Sequence, residues 1–196
     1  RVQVNGFAAT STDGFATWEA TLDLPAGIGT LTASTEDIHG NKNAAATMAT
    51  VMVGPPFAQI TGIAVEPTGQ IVIADGSRVV RVDPVSGART IVSDNASTGS
   101  GPAFGSLHGI AVEATGQIFV ADMNRVMRVD PATGARTIVS DNTGTGTGPN
   151  FTRVYDIAIE ATGQIVAVDQ NPYQAPAAAG RVMRVSPTTG ARTIIS

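Results

Sequence analysis

One stretch of this chain occurs three times, and this repetition constrains the fold more than any other feature. The middle copy, "LHGIAVEATGQIFVADMNRVMRVDPATGARTIVSDN", runs from Leu107 to Asn142. Equivalent residues follow one another in steps of 47 residues: Gly69, Gly116 and Gly163, and likewise Asp75, Asp122 and Asp169. A period of this size is typical of repeat architectures, in which each unit covers the apolar face of its neighbour.

Each repeat is predicted to hold four short strands. The glycine of "EPTGQ" or "EATGQ" marks a turn that needs a positive φ, and "DPVSGAR" or "DPATGAR" opens a second turn with proline. The strands are apolar on both faces, which favours sheets packed between other sheets. In the first copy the predicted strands are Ile63 to Val65, Gln70 to Asp75, Val79 to Asp83 and Arg89 to Ser93.

Four-stranded antiparallel units at this spacing are typical of β-propeller blades. The segment "HGIAVEATGQIFVAD" followed by "NRVMRVDPATG" resembles the NHL-repeat propellers over residues 57–196, with copies at 57–103, 104–150 and 151–196. The third copy departs from the others at Asp156 and Val168, where they have glycine and alanine, and it is nine residues longer within Gln170 to Gly180.

Three blades predict an open arc or a fragment of a larger propeller, because closed rings take about four to eight blades. We therefore expect further blades to follow in the full protein. We also expect Arg1 to be a fragment boundary, because "RVQVNG" is already strand-like and has no initiator Met or leader. Two alternatives stay open: the first 53 residues supply a fourth blade, or two copies of the chain build a six-bladed ring. Open blade edges are also expected to favour self-association.

Residues 1–53 are predicted to form short strands: Val2 to Asn5, Phe7 to Thr10, Phe15 to Leu24, Gly29 to Asp37 and Ala44 to Val53. The motifs "VQVNG", "WEATLDLPAG" and "LTASTEDIHGN" resemble the second half of a bacterial immunoglobulin-like domain, which implies part of a β-sandwich. A Pro-rich joint at residues 54–56 separates this segment from the repeats. The predicted fold class is all-β: an immunoglobulin-like segment followed by three NHL-like blades.

Charge and composition exclude several classes of function. The net charge of −4 and the absence of a basic stripe argue against nucleic acid as a partner. The chain has no cysteine, and its apolar runs are shorter than the roughly 20 residues of a membrane helix. We therefore expect no membrane insertion in this segment. The modular β architecture leads us to expect an extracellular or cell-surface location.

The first strand of each blade is expected to line the propeller channel, where the copies present Thr61, His108 and Tyr155. The resemblance to lyases with NHL-type propellers implies that His108 could hold a metal ion or act as a base. One histidine supplies only one of the three or more protein ligands that zinc needs. No catalytic residue and no metal site is therefore predicted, and His108 stays the sole catalytic candidate.

Polar loops between the blades, "SDNASTGSGPAFG" and "SDNTGTGTGPNF", are predicted to be flexible and to bind partners at one rim. No cofactor is predicted, although the carboxylate and amide oxygens of these loops would suit calcium. Asp75 with Arg78 and Asp122 with Arg125 are expected to form structural pairs that also cap turn amides. The candidate binding residues at the rim and channel are Asp94, Asn95, Asp141, Asn142, Tyr155 and Tyr173.

These features lead to a non-enzymatic extracellular or cell-surface module for adhesion, for binding a protein or glycan, or for assembly. The first alternative is a propeller lyase or hydrolase with a metal-assisted site at His108. The second is a subunit that assembles into a filament or surface lattice through open blade edges.

Overall fold

A computed structural model describes residues 2–5, 7–12, 19–22, 27–42, 47–170 and 180–196. The chain divides into two compact units at Pro55 and Pro56, inside the predicted joint. Both units are built from antiparallel strands, so the predicted all-β class is confirmed. Within the described ranges, no helix is long and apolar enough to cross a membrane.

The first unit contains one four-stranded sheet with the order β2-β1-β3-β4. This order differs from that of a propeller blade, in which consecutive strands lie side by side. The predicted strand from Phe15 to Leu24 falls largely outside the described residues. The immunoglobulin-like assignment stays a prediction. The strands are β1 (Val2–Val4), β2 (Phe7–Ala8), β3 (Gly27–Thr35) and β4 (Thr47–Val53).

The second unit contains three four-stranded sheets, each with its strands in sequence order. Blade 1 consists of β5 (Ile60–Val65), β6 (Ile71–Asp75), β7 (Arg78–Val82) and β8 (Arg89–Ser93). Blade 2 consists of β9 (Leu107–Val112), β10 (Ile118–Asp122), β11 (Arg125–Val129) and β12 (Arg136–Ser140). Blade 3 consists of β13 (Val154–Ile159), β14 (Ile165–Asp169), β15 (Arg181–Val185) and β16 (Arg192–Ile194).

The turn chemistry predicted from the sequence is confirmed, and the start of blade 1 needs one correction. Gly69, Gly116 and Gly163 have φ of +86°, +91° and +81°, as the predicted turns require. The first strand of blade 1 begins at Ile60, three residues before the predicted start at Ile63. Its pairing with β6 shifts register between Ile60 and Gly62. Because this irregularity interrupts the alternation of side chains between the two faces, the sequence pattern does not show where the strand begins.

The core lies between the blades, as the apolar pattern on both strand faces predicts. All five residues of β10 are buried, and neighbouring Phe119 and Val120 contribute to different hydrophobic clusters on its two sides. The second strand of the middle blade is therefore covered on both faces.

The two outer blades each keep one apolar face uncovered. Ile60 and Ile63 of blade 1 are 55% and 66% exposed, whereas the corresponding Leu107 and Ile110 of blade 2 are buried. On blade 3 the uncovered side chains are Val168, Ile194 and Ile195. The three blades thus form an arc with two free ends in the part of the chain that the structure describes.

Candidate functional site

A buried aspartate ends the second strand of every blade. Asp75, Asp122 and Asp169 are 1%, 0% and 1% exposed. Asp75 and Asp122 each accept a salt bridge of 2.6 Å from the arginine three residues later, so the predicted structural pairing is confirmed. In blade 3 the partner is Arg181, which reaches Asp169 across the insertion. The insertion therefore leaves this contact in place.

These carboxylates also bind backbone amides, but not those of their own turn. Asp75 accepts from the amides of Ala58 and Gln59, which precede the first strand of the same blade. Asp122 accepts from the amide of Gly105 in the same way. The expectation that they cap their own turns is thus corrected. Each aspartate thus links the end of the second strand to the residues that precede the first strand of the same blade. The pairing of these two strands shifts register at this end of the blade.

Replacing Asp122 by asparagine is expected to lower the free energy of unfolding by about 2–4 kcal/mol. Asparagine keeps the shape but removes the charge that the Arg125 guanidinium needs, and breaking one partner of a buried pair is costly. Urea unfolding followed by circular dichroism measures the loss.

The matched control is Asp130→Asn in the exposed turn of the same blade. Asp130 accepts from Thr133 and the amide of Ala132, and asparagine can form the same turn. An equal loss in both variants would contradict a special role for the buried carboxylate.

The rim residues Asp94 and Asp141 organise their own loops. Asp94 accepts from the amides of Ala96, Ser97 and Thr98. Burial raises the pKa of Asp94, but these amide bonds outweigh it and hold the pKa below its ordinary value. Asp141 behaves alike, with amide bonds from three loop residues. An incoming calcium ion would have to compete with these amides for the same oxygens.

Asn95 and Asn142 close the loops at the other end. The side chain of Asn95 donates to the carbonyl of Phe104 and accepts from the Phe104 amide, and Asn142 does the same with Phe151. The loops are therefore tied at both ends by repeated contacts, which differs from the predicted flexible rim. In the described part of the chain, no three His, Cys, Asp or Glu side chains are grouped closely enough to hold a metal ion.

Each interblade loop also wraps around an arginine of the following blade. Arg136 is 7% exposed and donates to the Pro102 carbonyl, the Asp94 carbonyl and the Ser93 hydroxyl. Its guanidinium carbon lies 5.0 Å from the centre of the Phe104 ring. Arg192 makes the equivalent contacts one blade later. Sequence reasoning missed this role, although the recurring "GAR" tripeptide was the available signal.

The first strands of blades 2 and 3 bring together His108, Tyr155 and an arginine that sequence reasoning did not select, Arg153. Arg153 Nε lies 3.2 Å and Nη2 3.1 Å from His108 Nε2. The His108 and Tyr155 rings are 5.5 Å apart, and Arg153 lies over the Tyr155 ring at 5.5 Å. Thr61 donates to the carbonyl of Leu107 in the neighbouring strand. Tyr173 lies outside the described residues.

The contact with Arg153 defines the state of His108. A guanidinium can only donate, so Nε2 must accept and the proton of the neutral ring sits on Nδ1. Burial lowers the pKa of His108 below its ordinary value of 6.5, Arg153 lowers it further, and Asp122 raises it in part. The cation at Nε2 also occupies the position that a metal ion would need. A metal ion at this nitrogen would have to displace Arg153.

Exchange of Arg153 for glutamine is expected to raise the pKa of His108 toward 6.5, since a cation that disfavours the imidazolium is removed. In the unmodified protein the pKa of His108 is lower in the folded state than in the unfolded state. Below pH 6.5 the unfolded chain therefore binds more protons at His108 than the folded protein does. The contribution of His108 to stability is therefore present above pH 6.5 and falls as the pH drops below it.

The titration of the His108 ring protons by NMR measures this shift directly. Arg184→Gln, in the same blade, serves as the control because Arg184 pairs with Glu160 and not with the imidazole. An unchanged His108 titration in Arg153→Gln would show that the two side chains are not in contact.

A cleft of about 480 Å³ lies between blades 1 and 2, lined mainly by the strand-connecting turns. Arg81 borders it and is bound to Glu66 and to the carbonyl of Pro131. The two charged side chains of this cleft, Arg81 and Glu66, are thus paired with each other, and the surface of the lining is mostly apolar.

Comparison with known proteins shows the fold class. No protein-family model matches the chain, and no curated protein matches it. Similar solved structures include the nidogen/laminin complex, with a TM-score of 0.55 at 17% identity over 87% of this chain and 59% of that one. A gluconolactonase of Xanthomonas campestris has a TM-score of 0.54 at 18% identity over 71% of this chain and 48% of that one. A streptogramin B lyase has a TM-score of 0.51 at 16% identity over 87% of this chain and 53% of that one.

The second unit therefore has the β-propeller fold, and the predicted fold class is confirmed for it. The chain spans about half to three fifths of the length of these three structures. Their sequences are too distant for the likeness to show more than the fold.

Proposed function

We propose that this chain is a non-enzymatic binding module of an extracellular or cell-surface protein. In this proposal NHL-type blades follow an immunoglobulin-like segment and bind a protein or glycan. Adhesion is the biological role that such modules fit. The partner meets the channel edge formed by the first strands of the blades.

The observation that carries the proposal is the state of the aspartates that end the second strands of the blades. Asp75, Asp122 and Asp169 are buried, each is paired with an arginine, and each also accepts backbone amides. A general base needs a free lone pair within reach of the substrate. These three residues have a structural task instead, and none of them has a free carboxylate to serve as an acid–base partner of His108.

The similar structures are consistent with binding and with catalysis. One is a complex between two proteins, and two are named as enzymes. The likeness therefore supports a propeller that presents a site, and the choice between binding and catalysis depends on the residues of this chain.

A binding screen against glycans and cell-surface proteins, run beside assays for lactone hydrolysis and lyase activity, tests the proposal. We expect a saturable partner and no turnover. Turnover without any binding partner would overturn the proposal.

The enzyme alternative requires His108 with a metal ion. Metal analysis of the purified chain and the variant His108→Ala separate it from binding. Bound metal together with a loss of turnover in His108→Ala would favour the enzyme.

Self-assembly is favoured by the uncovered apolar faces of blades 1 and 3. One feature opposes an assembly in which blade 3 of one copy packs against blade 1 of another copy as neighbouring blades pack within the chain. In blades 1 and 2 a glycine lies against the next inner strand, and a Cβ on Gly62 would come within 3.0 Å of the His108 carbonyl. Blade 3 has Asp156 at this position. Light scattering over a range of concentrations distinguishes assembly from a monomer.

A further inference from the structure

Arg153 differs from eight other arginines of the propeller in the groups that its guanidinium contacts. Five of them form salt bridges with carboxylates, and Arg128, Arg136 and Arg192 donate to backbone carbonyls. The Arg153 guanidinium bonds to an uncharged imidazole and lies over a tyrosine ring. Among the described residues, no carboxylate lies within salt-bridge distance of it. Its positive charge is therefore not neutralised by a neighbouring carboxylate.

The cluster formed by His108, Arg153 and Tyr155 offers hydrogen-bond donors to a ligand. All three side chains are only half-buried. The Arg153 contact fixes the His108 proton on Nδ1, which leaves an N–H on the other side of the ring. The Tyr155 hydroxyl and the remaining guanidinium N–H groups add further donors. A ligand that is rich in acceptors and carries one negative charge complements this set.

The charge of the whole protein restricts the class of ligand further. With a net charge of −4, the chain repels densely charged polyanions, and the cluster holds a single cation. An acidic peptide or a nucleic acid brings several negative charges that one guanidinium does not neutralise. A single sugar-acid residue brings one carboxylate together with several hydroxyl groups.

Building on the proposed binding function, we propose that the cluster of His108, Arg153 and Tyr155 binds the carboxylate of a uronic acid in a glycan. The carboxylate accepts from the Arg153 guanidinium. The sugar hydroxyl groups accept from His108 Nδ1–H and exchange hydrogen bonds with the Tyr155 hydroxyl. Arg153 thereby holds the imidazole in its neutral tautomer and provides the charge that selects an acid over a neutral sugar.

Calorimetric titration of the full chain with the methyl glycoside of galacturonic acid tests this proposal, with the methyl ester of the same compound as the neutral counterpart. We expect the acid to bind at least tenfold more tightly than the ester. Arg153→Gln is expected to weaken binding of the acid at least tenfold and to leave any binding of the ester unchanged. Tyr155→Phe, which keeps the ring, is expected to have a smaller effect.

Arg184→Gln is the matched control, because it removes a charge from the same blade at a pair with Glu160. Its affinity for the methyl glycoside of galacturonic acid is expected to equal that of the unmodified chain, and thermal unfolding of each variant verifies that it is folded. Equal binding of acid and ester, or equal binding by Arg153→Gln and the unmodified chain, overturns the proposal. Binding of an acidic peptide in place of the uronate also overturns it.

Failure of this proposal is distinguishable from failure of the binding function. If the screen finds a partner whose affinity does not change in Arg153→Gln, the uronate site is wrong and the binding function stands. If the chain turns over a substrate and binds no partner, the binding function itself fails.

Discussion

Replacing Gly134 by alanine is expected to lower the free energy of unfolding of the propeller by about 3–5 kcal/mol. Gly134 has φ of +69°, and a Cβ there would lie 2.2 Å from the carbonyl oxygen of Val92 in the preceding blade. Backbone cannot yield as a flexible side chain can, so blades 1 and 2 must separate to accept the methyl group. Urea unfolding followed by circular dichroism measures the loss. The single tryptophan, Trp18, belongs to the first unit, so its fluorescence serves to monitor that unit instead.

The repeat supplies a matched control for this substitution. Gly87 is the equivalent residue of blade 1, has φ of +70°, and a Cβ there meets no atom within 4 Å. Gly87→Ala therefore imposes the same backbone strain without the clash, and we expect it to cost only about 1–2 kcal/mol. Equal losses for the two variants would show that backbone strain, and not the contact between blades, determines the effect.

Truncating Arg136 to alanine is expected to cost about 3–5 kcal/mol. The change removes the donors of the Pro102 and Asp94 carbonyls, leaves the Ser93 hydroxyl without its cation, and exposes one face of the Phe104 ring. Because the loop from blade 1 to blade 2 is built around this guanidinium, its amide protons should also exchange faster with solvent. Hydrogen exchange together with urea unfolding gives both readouts.

Two further variants separate the possible causes. Arg136→Lys keeps the charge but loses the planar fork of donors, so we expect an intermediate loss. Arg184→Ala removes an arginine whose side chain is 42% exposed, and we expect a much smaller effect. If Arg136→Ala is no more harmful than Arg184→Ala, the loop does not depend on the buried guanidinium.

Within one blade the sequence predicted most of the structure. The fourth strand of blade 1 was predicted at the observed Arg89–Ser93, and the pairs of Asp75 with Arg78 and Asp122 with Arg125 were found. Such features depend on residues a few positions apart, where turn geometry and alternation leave few choices. The missed beginning of the first strand has the same local origin, since a register shift interrupts the alternation there.

The candidate site was predicted only in part. His108 and Tyr155 were placed on the channel edge by their equivalent positions in the repeat. Arg153 was missed, because it occurs in one copy only and its contact with His108 spans 45 residues of sequence. The polar loops were selected as flexible segments with side chains available for binding. Their aspartates and asparagines instead form hydrogen bonds within the loops.

The sequence by itself determined the period, the four strands of each blade and the turns between them, because a propeller blade is specified by local alternation and by glycine and proline at fixed intervals. Only the tertiary structure decided how equivalent residues differ. Gly87 and Gly134 have the same backbone conformation, yet only Gly134 lies against a preceding blade. His108 is equivalent to Thr61, yet only His108 is held by an arginine. Stacking gives each blade different neighbours, and those neighbours determine which of several equivalent residues contacts another blade.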